Sequence, residues 1–152
     1  MALWRMFITV TILVSMFCVG VLAAGDIQEG SLSIQSEILS VQSRVVGLPL
    51  SGMVASYFGD ETINIHVTAA NGEDFVLGIE SKDSVISTFA ITELVNPDVD
   101  VYMDESTLTD LVSGKDIKYL LGVHLANGAI EYTAHGFLNK IKYAIVVSRV
   151  RA

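Results

Sequence analysis

The sequence of 152 residues contains a single cysteine, Cys18, and two prolines. One cysteine excludes an intrachain disulfide, and because Cys18 lies in an apolar N-terminal run, the remainder has no cysteine-based zinc site. Catalytic motifs are lacking as well: there is no G-x-S-x-G, no H-E-x-x-H and no glycine-rich phosphate loop. We therefore expect no catalytic residues and a function that is not enzymatic.

Metal-ligand patterns are also missing. The three histidines stand on separate predicted elements, without the spacing of metal ligands: His66, His124 and His135. Asp98, Asp100 and Asp104 superficially suggest a calcium loop, but the central glycine and the terminal bidentate glutamate of an EF-hand are not there. We interpret Asp98 and Asp100 as outward-facing strand residues and Asp104 as a helix cap. The sequence predicts neither a metal nor another cofactor.

Basic residues are in the minority, with nine Lys and Arg against 17 Asp and Glu, for a formal charge of −8. Arg5 is the only charged residue among the first 25, so the rest is more acidic still. A nucleic-acid surface needs clustered Lys and Arg, so we expect no nucleic-acid partner. Overall acidity also disfavours wholesale adsorption to anionic lipid. The length favours one domain.

One long hydrophobic run is present, Met6–Ala24, which has 19 residues without a charge. As a helix it is just long enough to cross a hydrocarbon core of about 30 Å. Two interpretations remain open: an uncleaved membrane anchor, or a secretory signal peptide cleaved near Ala23-Ala24-Gly25. The boundaries that follow are 1–25 for the signal or anchor, 26–30 for a linker and 31–152 for the folded domain.

Both interpretations predict the same topology. Arg5 precedes the apolar run and Asp26 follows it, which predicts that the N-terminus stays in the cytoplasm. Residues 26–152 would then lie outside the cytoplasm, either exported or held at the membrane.

The remainder predicts an α+β fold with helices before and after a set of strands. Ser31–Val46 has the periodicity of an amphipathic helix, and Ile63, Ile65 and Val67 alternate with polar residues as in a half-buried strand. Asn71-Gly72 indicates a hairpin. Four further strands are predicted: Phe75–Glu80, Val85–Ile91, Val99–Met103 and Ala129–Thr133. Two short helices are predicted between the last two of these.

A last helix is predicted over Phe137–Val150, with Leu138, Ile141 and Ile145 marking one face. Its basic residues are concentrated near the end of the sequence: Lys140, Lys142, Arg149 and Arg151. Two interpretations are open. The cations lie at the negative end of the helix dipole and in solvent, or the helix contacts lipid headgroups or an acidic partner.

The stretch Asn96–Gly136 contains, in order, a Pro-Asp-Val strand, an acidic cap, a helix ending at Ser-Gly-Lys, a second helix and a glycine-flanked strand. The residues of this pattern are Pro97, Asp98, Val99, Val101, Asp104, Leu111, Ser113, Gly114, Lys115, Gly122, Gly128, Ile130, Tyr132 and Gly136. In these motifs the stretch resembles the second half of the sterol carrier protein 2 (SCP-2) domain. The resemblance implies a largely antiparallel sheet of about five strands, covered by helices on one face.

The resemblance also implies a hydrophobic cavity between sheet and helices that holds a lipid or other apolar small molecule. Matched element by element, the candidate walls are Ile38, Val41, Val45, Phe89, Val101, Leu111, Leu120, Leu121, Phe137, Ile141 and Ile145. The alternative is that these residues fill an ordinary core. The domain would then be a structural or interaction module of the cell envelope that self-associates or binds a partner. An uncleaved Met6–Ala24 would add the membrane as a partner.

Overall fold

The computed structural model describes residues 31–50, 53–113 and 116–151. Five helices and five strands lie in this part of the chain. The helices are α1 (Ser31–Val45), α2 (Met53–Phe58), α3 (Glu105–Ser113), α4 (Ile117–Asn127) and α5 (Phe137–Arg151). The strands are β1 (Glu61–Thr68), β2 (Asp74–Lys82), β3 (Val85–Ile91), β4 (Val99–Asp104) and β5 (Glu131–Ala134).

The strands form one sheet in the order β3-β2-β1-β4-β5. Three of its four pairings are antiparallel, and only β1 and β4 run parallel. The predicted α+β class and the five-stranded, largely antiparallel sheet are therefore confirmed. The last strand is Glu131–Ala134 rather than Ala129–Thr133, because Gly128 ends α4 in the left-handed conformation and Ile130 is still bonded to His124.

Apolar and polar residues alternate along the strands, so the apolar side chains lie on one side of the sheet. Ile63 of β1 lies beside Ile79 of β2 and Val99 of β4 in register. Val67 belongs to the same buried cluster as Ile38 of α1. Helix residues thus pack on the apolar face, which we call the helix-covered face. The even-numbered residues of β1 and β4 point to the opposite face.

Side-chain caps begin the two middle helices, and the cap by Asp104 confirms the prediction from the sequence. The Asp104 carboxylate accepts a hydrogen bond from the Thr107 amide at 2.7 Å and so caps α3. Asp116 caps α4 in the same way through the Tyr119 amide, at 3.1 Å. The hydroxyl and amide of Thr107 stabilise the ionised form of Asp104 and hold its pKa below the usual value of 3.8.

The connection between β3 and β4, residues 92–98, crosses the face opposite the helices. Asn64 of β1 is fully buried and binds this connection at Leu94. Its Nδ2 donates a hydrogen bond to the Leu94 carbonyl, and its Oδ1 accepts one from the Leu94 amide, each at 2.9 Å. Gly78 makes room for it, since a Cβ there would lie 2.5 Å from the Thr92 carbonyl oxygen. The alternation along β1 predicts Asn64 only as a polar strand residue and does not reveal this contact.

The N-terminal part of the prediction, Met6–Ala24 and the linker 26–30, lies outside the described residues. Among the helices of residues 31–50, 53–113 and 116–151, none has both the length and the apolar character needed to cross a bilayer.

Replacing Asn64 by alanine removes both bonds to Leu94 and leaves two backbone groups without their partner. We expect Asn64→Ala to lower the free energy of unfolding by about 2–4 kcal/mol. Urea unfolding followed by circular dichroism measures this, with the exposed Thr68→Ala on the same strand as the matched control. Equal stabilities of the two variants would contradict the assignment of Asn64 as the clamp of the connection.

Candidate apolar binding site

The helix-covered face carries its apolar residues in distinct clusters. The first lies under α1 against β1–β3, and its buried members are Ile38, Val45, Val67, Phe75, Leu77, Ile79, Ile86, Phe89 and Leu108. The second lies under α3 and α4 and has only three fully buried members: Leu111, Leu125 and Ile130. Six partly buried residues pack against the second cluster: Val101, Met103, Leu120, Leu121, Tyr132 and Val147. Six partly buried residues also pack against the first cluster, but they accompany nine buried ones, so a larger share of the second cluster is accessible.

The predicted wall residues divide between these clusters. Three of them are in the first cluster and at most 1% exposed: Ile38, Val45 and Phe89. Four belong to the second or pack against it: Val101, Leu111, Leu120 and Leu121. The side chains of Val41 and Phe137 lie outside the described part of the chain.

Ile141 and Ile145 face outward, with 46% and 40% of their surface exposed. The side of α5 that packs inward carries Asn139, Tyr143 and Val147 instead, spaced four residues apart. Two apolar stripes run along α5, and periodicity alone cannot tell which one is buried. Polar contacts hold the side of α5 that carries Asn139 and Tyr143 against the sheet, so this side is the buried one.

The first of these polar contacts is made by Glu61 at the start of β1. Its carboxylate, only 6% exposed, forms an ion pair with Lys142 and accepts a hydrogen bond from the Tyr143 hydroxyl at 2.9 Å. Burial raises the pKa of Tyr143, and the charge of Asp98 adds to the effect, so the phenol stays a donor. Burial lowers the pKa of Lys142. Lys142 was predicted to lie in solvent or to contact headgroups or an acidic partner, and it is instead paired with Glu61 with its side chain 18% exposed. Glu61 and Tyr143 had no predicted contact.

The second contact is made by Asp98, from the Pro-Asp-Val motif. One carboxylate oxygen accepts from the Thr62 amide and the other from the Asn139 side chain, both at 2.8 Å. Asp98 was predicted as an outward strand residue, and it instead connects β1 to α5. The carboxylates of Glu61 and Asp98 thus bind α5 to the sheet.

A further polar cluster lies on the opposite face. His66 and His135 each place Nε2 against a different oxygen of Asp100, at 2.8 and 2.6 Å. Tyr102 stacks on the His66 ring at 4.6 Å between centroids. His66 lies on β1, and His135 directly follows β5. The parallel β1–β4 pair and the β4–β5 pair bring these two distant residues to one carboxylate. Sequence spacing does not contain this information.

This cluster is a hydrogen-bonded unit. A carboxylate only accepts, so both rings donate through Nε2. Burial raises the pKa of Asp100, but the hydrogen bonds from His66 and His135 and their charge outweigh it and leave that pKa below 3.8. The ring nitrogens facing Asp100 are committed to it. In the described residues no group of three His, Cys, Asp or Glu is arranged to hold a metal.

His124 does not join this cluster. Its Nε2 lies 3.6 Å from the Asp110 carboxylate on α3, and both ring nitrogens are buried with no hydrogen-bond partner among the described residues.

Comparisons with known proteins show the fold. No protein-family model and no curated protein matches the chain. Among solved structures, sterol carrier protein 2 like 2 from Aedes aegypti is 19% identical, with a TM-score of 0.51 over 77% of this chain and 95% of that one. The sterol carrier protein domain 2 of Helicoverpa armigera is 16% identical, with a TM-score of 0.46 over 66% of this chain and 76% of that one. Sterol carrier protein 2 from Yarrowia lipolytica is 12% identical, with a TM-score of 0.46 over 74% and 86%. The similarity to the first confirms the SCP-2 fold predicted from Asn96–Gly136.

Asp100→Asn tests the polar cluster through its pH dependence. Because the pKa of folded Asp100 is lowered, its stabilisation is present above about pH 3.8 and is lost as the pH falls through the folded value. We expect the variant to be less stable by about 1–3 kcal/mol near neutral pH. That difference should shrink toward zero as the wild-type carboxyl protonates.

Urea unfolding near neutral pH and again below the pKa of Asp100 measures the change. Asp83→Asn, in the exposed turn between β2 and β3, is the control, since asparagine tolerates its positive φ of 50°. A stability difference that does not vary with pH would contradict the assigned charge of Asp100.

Proposed function

We propose that this protein binds a lipid or another apolar small molecule between its helices and its sheet, without enzymatic activity. The observation that carries the proposal is the second cluster, where apolar residues of α3, α4, β4 and α5 converge but most remain partly exposed. The SCP-2 fold supports it, since the mosquito protein that shares this fold is named a sterol carrier.

Hydrophobic burial supplies the affinity in such a site. Each methylene group removed from water contributes about 0.8 kcal/mol. The half-buried side chains Val101, Leu120 and Leu121 lose further apolar surface to water when a ligand covers them. A chain of several methylenes then offsets the cost of association without polar contacts. We place the ligand against the second cluster because six partly buried residues surround only three buried ones there, whereas the first cluster has nine buried residues for the same number of partly buried ones.

We further propose that Met6–Ala24 directs residues 26–152 out of the cytoplasm and to the membrane, as a cleaved signal or a retained anchor. Its 19 uncharged residues after Arg5 support this proposal. The mass of the N-terminal peptide from the cell's membrane and extracytoplasmic fractions distinguishes the two forms. A full-length chain in the soluble cytoplasmic fraction would contradict both.

Native mass spectrometry of the purified protein, followed by solvent extraction and lipid analysis, tests the ligand proposal. We expect a stoichiometric adduct of an apolar molecule. A clean apo mass that stays unchanged after incubation with fatty acids and isoprenoid lipids would overturn it. That result would favour the structural or interaction module with a filled core.

Leu121→Trp tests the location of the ligand. The larger side chain fills space beside the second cluster, so we expect affinity for a fluorescent fatty acid to fall at least about tenfold, or 1.4 kcal/mol. Leu39→Trp on α1, where the native side chain is 55% exposed, is the matched control and should bind as the wild type does. Both variants must retain the far-ultraviolet circular dichroism of the wild type. Equal affinity of the two variants for the fatty acid would contradict the placement of the ligand at the second cluster.

A further inference from the structure

Exposed apolar side chains are concentrated on the last two helices. Of the nine large hydrophobic residues that are exposed in the described part of the chain, five lie on α4 and α5. They are Tyr119, Val123, Leu138, Ile141 and Ile145. The two helices pack against each other. We call them the C-terminal helix pair.

On α5 these residues form a continuous stripe. Leu138, Ile141 and Ile145 recur at intervals of three and four residues, so they share one side of the helix. Leu138 is 79% exposed, and the stripe lies away from the Tyr143 side that packs on the sheet. A stripe of this kind on a helix that is already docked needs an external partner to be covered.

The sequences of the same two helices also differ in charge from the rest of the chain. The sequences of α4 and α5 contain five basic residues and no acidic one: Lys118, Lys140, Lys142, Arg149 and Arg151. The rest of the chain holds the other four basic residues and all 17 acidic ones. Lys142 is paired with Glu61 of β1, and the other four basic residues leave the C-terminal helix pair with a net positive charge in a chain of overall charge −8.

We infer that the C-terminal helix pair docks on an anionic lipid bilayer through the Leu138–Ile141–Ile145 stripe. Aliphatic side chains enter the boundary of the acyl chains, a tyrosine such as Tyr119 suits the interface, and the exposed Lys140 supplies positive charge for the headgroups. The stripe stands on the outside of a helix, and a bilayer can cover such a convex surface. An acidic protein partner is the alternative that the experiment must exclude.

This inference rests on the proposed function for its choice of occupant and extends it. Val147, on the inner side of α5, packs against the second cluster, directly behind the outward stripe. A bilayer on the outer side of α5 would therefore lie one helix away from the proposed ligand region. Docking would bring the ligand region next to the lipids from which it is filled.

A fluorescent probe on the stripe tests the docking in the full chain. Cys18→Ser first removes the native cysteine. The environment-sensitive dye NBD is then attached at Ile145→Cys. The control carries NBD at Glu93→Cys, which is exposed in the connection that crosses the opposite face. The vesicles are phosphatidylcholine with or without phosphatidylglycerol. We expect a blue shift and a several-fold rise in emission at position 145 with the anionic vesicles only, reduced by salt, and no change at position 93.

A charge variant makes the test specific. Lys140→Glu should reduce the response at position 145 several-fold, whereas Lys82→Glu, exposed at the end of β2, should leave it unchanged. No response at position 145, equal responses at both positions, or an equal response to neutral vesicles would overturn the inference. A response to soluble polyglutamate that equals the response to anionic vesicles would also overturn it, in favour of an acidic protein partner.

Native mass spectrometry of the same variants separates the two proposals. A bound lipid without a response at position 145 would reject the docking surface and leave the ligand proposal intact. A response at position 145 in a protein that never carries lipid would reject the ligand proposal and leave the docking surface intact.

Discussion

The parallel pairing of β1 with β4 is the constraint on which the rest of the structure depends. Parallel neighbours cannot be joined by a hairpin, so the chain must cross the sheet between β3 and β4. Asn64 makes that crossing specific by bonding both backbone groups of Leu94 from a fully buried position. Once β4 lies beside β1, Asp98 and Asp100 reach the partners that organise the two faces of the sheet.

Polar contacts hold one side of the last helix against the sheet, beside the apolar packing of Tyr143 and Val147. Glu61 and Asp98 bind Lys142, Tyr143 and Asn139, which turns that side of α5 toward the sheet. The Glu61 carboxylate is buried and would be costly if it were left unpaired, so its contacts with Lys142 and Tyr143 favour this orientation of α5. The apolar stripe on the other side is left for solvent or for a partner. One set of hydrogen bonds thus fixes both the inner and the outer surface of the helix.

Much of the fold could be predicted from local patterns. Strand alternation, the Asn71-Gly72 turn and the Asp104 cap are short-range signals, and all of them are found as expected. The candidate site was less accessible to prediction. The outward direction of Ile141 depends on a carboxylate some 80 residues earlier in the chain, and the meeting of His66 with His135 depends on strand order. Periodicity carries no information on either contact.

The clamp by Asn64 also has a consequence for sequence change over evolutionary time. Because it binds main-chain atoms of Leu94, it places no demand on the side chains of the neighbouring residues, and Glu93 and Val95 are exposed. Substitutions there can accumulate without loss of the crossing. Position 78 has no such freedom, because any Cβ there meets the backbone of Thr92. Relatives that keep this fold should therefore vary at positions 93 and 95 and stay restricted at positions 64 and 78.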